Sequence, residues 1–201
     1  MSRAPDPVAL EVRATAAALD ADGLAATVRG CVACPELAAT RQSVVVGVVP
    51  PGARLLLVGE APGAQEDESG LPFVGRSGQL LDRLLAEVGA DRAEVGVLNT
   101  LKCRPPANRP PRPLETERCR GWTERQLALA GPSLVVALGL SATRWFLGPT
   151  TLAVVRGQVT DARGVRVLPT YHPSAAIRFG PAGEPLRLLR EDLALAVRLS
   201  A

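Results

Sequence analysis

The chain has 201 residues, 47% of them apolar and only 3% aromatic, with a formal net charge of +3. That length suits one domain of ordinary size, expected over residues 1–201 with residues 1–30 as an extra N-terminal helical segment. No run is long enough to cross a bilayer and the N-terminus, broken by acids and prolines, does not read as a signal peptide, so no membrane is expected and a reducing, cytoplasmic compartment is.

Residues 7–30 read as one or two short helices, with Val8, Val12, Ala16 and Leu19 at helical spacing. Cys31-Val32-Ala33-Cys34-Pro35 follows, and Pro50-Pro51-Gly52 marks a turn. Strand Arg54–Val58 then runs into Gly59-Glu60-Ala61-Pro62-Gly63. A helix starts near Ser77, which can cap it, and places Leu80, Leu81, Leu84, Leu85 and Val88 on one face. Next come strand Val95–Leu98 ending at Asn99, a helix over Glu115–Ala130, strand Ser133–Leu138 ending at Gly139, and a helix over Ser141–Leu147. A hairpin-like strand near Gln158–Thr160 and strand Val165–Leu168 precede Tyr171-His172-Pro173-Ser174. An amphipathic helix over about Leu186–Leu199 closes the chain.

Strands alternating with helices predict an α/β fold, a three-layer α/β/α sandwich with a mainly parallel central sheet. In such sheets the ligand crevice lies outside the carboxyl ends of the strands. Glu60, Asn99 and His172 each follow a strand, so one rim should gather them.

The chain holds four cysteines, Cys31, Cys34, Cys103 and Cys119, and one histidine, His172. In a reducing compartment clustered cysteines point to metal or redox chemistry, against the bland alternative of buried inert thiols. Four thiolates fill a tetrahedral metal site or the corners of a cubane cluster, which leaves His172 free for chemistry elsewhere. The segment from Lys102 to Arg112 carries four basic residues and no acid. Such a stiff cationic loop suits a phosphate backbone, and equally, taken alone, a solvated connector. Gly59–Gly63 is not a dinucleotide fingerprint, because Pro62 interrupts its N–H donors. Phe73, in a loop bounded by Gly and Pro, is better placed to stack on a planar ligand than to fill a core.

Five stretches in order, C-V-A-C-P, G-E-A-P-G-x-x-E-D, L-P-F-V-G-R-S-G-Q-L-L-D, N-T-L-K-C-R-P-P-A-N-R and Y-H-P-S-A-A-I-R, run from Cys31 to about Arg178. Together they closely resemble the type-4, iron–sulfur branch of the uracil-DNA glycosylase superfamily. The resemblance implies a [4Fe–4S] cluster on Cys31, Cys34, Cys103 and Cys119. It also implies a monofunctional hydrolase that flips uracil out of DNA and leaves an abasic site, with uracil-containing DNA as partner and a monomer as the working form. In that pocket Phe73 would stack on the base, Asn99 would read its polar edge and His172 would contact its O2. Gly59, Ala61, Pro62 and Gly63 would line the same pocket. Glu60 and Glu66 match acidic positions of the motif, and which of them positions the attacking water stays open.

Residue chemistry agrees with these roles. An amide both donates and accepts, as O4 and N3–H of uracil require, whereas cytosine presents the reverse. A donor aimed at O2 stabilises the departing base as an oxyanion hole would. Arg104, Arg109, Arg112, Ser174 and Arg178 are the expected DNA contacts, with Ile177 as the apolar wedge that fills the vacated stack. Gly139-Leu140-Ser141 lacks the basic residue often found there in the family. Two other readings are a non-catalytic nucleic-acid-binding protein with a structural four-cysteine metal site and a covalent uracil-trapping relative. Ala61, and a 104–113 loop without histidine, argue against trapping.

Overall fold

The computed structural model describes residues 4–201. Its N-terminal part is three helices, α1 (Pro7–Ala17), α2 (Ala21–Arg29) and α3 (Pro35–Thr40). Asp6 and Asp20 cap the first two by accepting the N–H groups of Ala9 and Gly23. The expected helical stretch 7–30 is therefore two helices, divided where the second cap begins.

The rest alternates: β1 (Leu55–Gly59), α4 (Ala64–Ser69), α5 (Arg76–Glu87), β2 (Gly96–Asn99), a 3₁₀ turn (Pro106–Asn108), α6 (Pro113–Ala130), β3 (Leu134–Leu138) and α7 (Gly139–Leu147). After these come α8 (Leu152–Val155), β4 (Thr160–Ala162), β5 (Val165–Thr170), α9 (Pro173–Phe179) and α10 (Glu184–Ser200). The five strands form one sheet in the order β2-β1-β3-β5-β4. All pairs are parallel except β4 with β5.

Alternation along each strand divides the core. Leu55, Leu57, Val97, Val136 and Leu168 face the apolar sides of α5 and α10. Leu56, Val58, Leu98, Val135 and Val167 face Leu127 of α6 and Ala142, Trp145 and Phe146 of α7. The sheet is thus covered on both faces, as its near-continuous apolar strands require. A third cluster joins Val12, Ala16, Leu24 and Val28 of α1 and α2 to Leu37, Leu101, Trp122 and the cysteines. The N-terminal segment, to which the sequence assigned no function, walls the thiol pocket.

Three local expectations are corrected. Gly75, not Ser77, takes the cap position of α5, and Ser77 lies in its first turn. The strand expected near Gln158–Thr160 sits at Thr160–Ala162. Strand β5 continues through Pro169 to Thr170, and the Pro169 carbonyl still accepts the Gly157 N–H at 3.0 Å. Among the described residues no helix is long and apolar enough to cross a membrane.

Candidate active site

The carboxyl ends of β1, β2, β3 and β5 open on one crevice of about 500 Å³. Glu60, Ala61, Pro62, Gly63, Glu66, Phe73, Asn99, Arg109, His172 and Ser174 all line it. Leu138-Gly139-Leu140-Ser141, Ser77, Pro105 and Asn108 complete the wall. Sequence reasoning missed Asn108, whose only signal was its place beside Arg109 in the basic loop.

Asn99 ends β2 and is 2% exposed, and its side-chain Oδ1 has no hydrogen-bond partner. Its backbone carbonyl is held by the Lys102 ammonium at 2.7 Å. A buried acceptor without a partner costs roughly 1–3 kcal/mol, so this atom is strongly disposed to take a donor from a ligand. Gly59 makes room for it. A Cβ at that position would stand 2.4 Å from Asn99 Oδ1 and 2.6 Å from the Phe73 ring. Phe73 itself holds a left-handed backbone at φ 55°. Its carbonyl presses on Gly78 of α5, where a Cβ would fall 1.6 Å away. The ring is 7% exposed, so it both joins the core and faces the crevice. It lies 5.7 Å from the His172 ring.

The two glutamates differ in what they hold. Glu66 accepts the N–H of Gly63 at 3.1 Å with one oxygen, and those of Val74 and Gly75 at 2.9 and 2.8 Å with the other. It clamps the Phe73 loop to the glycine-rich turn. The Glu60 carboxylate makes no hydrogen bond or ion pair among the described residues, while its backbone carbonyl is bound by Thr100 and Leu101. The neighbouring Asp67, 1% exposed, holds the N–H groups of Gln42 and Ser43.

His172 caps α9, its Nδ1 accepting the Ser174 N–H at 3.1 Å, with Ser174 Oγ at 2.8 Å. A backbone N–H can only donate, so Nδ1 is bare and the ring's single proton sits on Nε2. Desolvation pushes the imidazole down to about 4, against a smaller upward pull from Glu66. The ring is therefore a neutral N–H donor at ordinary pH.

The basic loop is less free than its sequence implies. Arg109 grips Glu115 through both terminal nitrogens, at 2.9 and 2.6 Å, and reaches Glu36 at 3.4 Å. Burial would raise the Glu115 carboxyl, but the Arg109 fork and the Arg112 N–H hold it below the usual range. Arg112 pairs with Glu36 on α3. Arg104 bonds Asn108 Oδ1 through Nε at 2.7 Å. Beyond the histidine, Arg178 is exposed and stacks on Phe179 at 5.2 Å. Ile177, the expected wedge, packs partly buried against the core, and the large apolar side chain standing free on α9 is Phe179, 61% exposed.

The four cysteines line a second, smaller pocket with Leu37, Leu101 and Trp122. Cys103 Sγ accepts from Arg41 at 3.1 Å and Cys119 Sγ from the Lys102 N–H at 3.3 Å. Burial, reinforced by the neighbouring cysteines, pushes the thiols of Cys34 and Cys119 up to about 12, and burial also raises Cys103. No group of three His, Cys, Asp or Glu among the described residues has the close arrangement of a single-ion site. The donor set nonetheless fits a cluster. Four thiols share one apolar pocket, N–H groups already point at two sulfurs, and the Trp122 Nε1 in its wall has no partner.

The profile described as the uracil DNA glycosylase superfamily matches residues 46–194. The chain is 41% identical over 169 residues to a type-4 uracil-DNA glycosylase of Thermotoga maritima, a match covering 83% of this chain and 87% of that protein. It is 39% identical over 165 residues to one from Archaeoglobus fulgidus, covering 78% and 82%. A type-5 uracil-DNA glycosylase of Pyrobaculum aerophilum is 35% identical over 177 residues, covering 72% and 78%. On these matches the chain belongs to the uracil DNA glycosylase superfamily, with which its mainly parallel five-stranded sheet is consistent.

Proposed function

We propose that this protein is a DNA-repair glycosylase that extrudes uracil from DNA and hydrolyses its N-glycosidic bond. The observation that carries the reading is the buried, unpartnered Oδ1 of Asn99 beside the Phe73 ring, at the floor of a crevice that also holds a neutral Nε2–H donor. Oδ1 accepts N3–H of the flipped base, the carboxamide NH₂ donates to O4, and Phe73 stacks on the ring. As the C1′–N1 bond breaks, its electron pair moves onto the base, and His172 Nε2–H stabilises the charge on O2. Water adds to C1′ and gives its proton to Glu60, the carboxylate left free to orient it. Glu66 is a positioning residue here, since both its oxygens are committed to the loop that presents Phe73.

Cys31, Cys34, Cys103 and Cys119 would hold a [4Fe–4S] cluster, which supplies a covalent cross-link between the N-terminal helices and the 101–119 segment and no redox step. Arg104, Arg178 and Ser174 serve the DNA backbone, whereas Arg109 and Arg112 brace the loop through Glu115 and Glu36. The reading assigns this work to one domain and a single copy of the chain, in the cytoplasm.

The test is a uracil-containing oligonucleotide. Wild-type protein should release free uracil over many turnovers and leave an abasic strand unattached to protein. His172→Ala should slow this by about 10²–10³-fold, the worth of one oxyanion donor. No abasic product, or a denaturant-resistant adduct absent from His172→Ala, overturns the reading.

A further inference from the structure

Lys102 is the sole lysine among 23 basic residues, all the others being arginine. It is 1% exposed. Lysine is almost never buried so fully unless its charge is paired, yet no ion pair among the described residues includes it. Its ammonium donates to the Asn99 carbonyl at 2.7 Å. Its own N–H donates to Cys119 Sγ at 3.3 Å, and it lines the thiol pocket next to Cys103. Its side chain thus has the Asn99 carbonyl as acceptor while its backbone is bonded to a sulfur of the thiol pocket. An arginine there would bring five donors and a wide planar head into a space with one carbonyl to satisfy it, which accounts for lysine at this one position.

The same short segment is strapped to the crevice. Thr100 N–H donates to the Gly59 carbonyl and Leu101 N–H to the Glu60 carbonyl, both at 3.0 Å. A shift of residues 99–102 would move the base-reading amide and the glycine-rich turn together.

We propose that Lys102 is a positioning residue that ties the thiol pocket to the crevice: its backbone N–H is held on Cys119 Sγ on one side, and its ammonium holds the Asn99 carbonyl on the other and fixes the reach of Oδ1. This rests on the uracil-reading role proposed above for Asn99. It makes the cluster a determinant of base recognition without placing it in the reaction.

The experiment uses the full chain loaded with iron and free uracil as the probe. Lys102→Met should retain iron and its brown absorbance, yet weaken inhibition by free uracil and lower kcat/KM, each by about 10–100-fold, the worth of a hydrogen bond from a charged donor. Lys102→Gln, a donor without charge, should recover part of both. An iron-replete Lys102→Met protein with wild-type uracil inhibition overturns the proposal.

If that variant does not fold, wild-type protein decides the matter. Chelating its iron should speed hydrogen exchange at the Thr100 and Leu101 amides by about tenfold or more while Leu134–Leu138 stay protected. Unchanged exchange at Thr100 and Leu101 overturns the proposal, and so does an equal rise in β3, which would mean global collapse. Failure of wild-type protein to release uracil would sink the glycosylase reading instead, and the exchange experiment would still judge Lys102.

Discussion

The crevice and the thiol pocket are built from adjoining stretches of chain, yet each leaves a different kind of chemistry unmatched. In the crevice the open groups are directional: an amide oxygen without a donor, an imidazole N–H aimed away from its cap and the free Glu60 carboxylate. In the thiol pocket they are four cysteine thiols, and burial raises those of Cys34, Cys103 and Cys119 above the usual thiol range. A planar polar base answers the first, and a group that takes thiolate ligands would answer the second. The ligand class of each pocket is thus written in what the protein does not satisfy for itself.

The largest effect should come from unbalancing the thiol pocket. Cys103→Ala is expected to lose iron and solubility together, because Cys103 and Cys119 anchor the segment that carries the loop and Lys102. Iron content and the soluble fraction check this. A soluble, iron-free variant with full activity would reduce the pocket to packing.

Next, the two glutamates should separate chemistry from architecture. Glu60→Gln is expected to lower the excision rate by about 10²-fold or more with stability changed by no more than about 0.5 kcal/mol. Glu66→Gln is expected to cost about 1–3 kcal/mol of stability, because an NH₂ group would face N–H donors. Single-turnover rates and denaturant melts on the two variants would expose a reversed assignment.

The smallest effect concerns the arginines. Arg104→Ala and Arg178→Ala should each flatten the slope of log affinity against log salt by about 0.7–0.9. Arg109→Ala should instead leave that slope unchanged and lower thermal stability, since its guanidinium is already spent on Glu115. A flattened slope for Arg109→Ala would return it to the DNA interface.

Much of this arrangement is legible in the sequence, for physical reasons. Strands β1, β2 and β3 are short apolar runs ended by glycine or asparagine, and the parallel-sheet rule places their ends on one rim. Glu60, Asn99 and His172 could be brought together on that ground alone, whereas Phe73 enters through its loop bounded by glycine and proline. The four short helices α3, α4, α8 and α9 are hidden, being too brief to show a helical period. Strand β5 outruns its expected end because Pro169 reads as a stop, although a proline needs only its carbonyl at that position. The pairing of Arg109 with Glu36 joins residues far apart in the chain, and no local pattern announces it. Glu60 and Glu66 are equal candidates to position the water in the sequence, because the three backbone N–H groups that Glu66 holds are invisible in a string of letters. The lone lysine carries no local signal in the sequence, and only its burial sets it apart.

The central claim is that the crevice holds a neutral imidazole whose Nε2–H awaits the oxygen of a planar base. Between about pH 6.5 and 4 the unfolded chain binds a proton at His172 that the folded chain does not. Folding stability should therefore fall as pH drops through that window and return as pH rises. Because His172 is the only histidine, a ¹⁵N NMR titration of the imidazole, with and without free uracil, reads the site without ambiguity. The account predicts the Nε2–H tautomer, a midpoint near pH 4, and an Nε2 resonance that moves when uracil is added. A midpoint near 6.5, an Nδ1–H tautomer, or no response to uracil would contradict it.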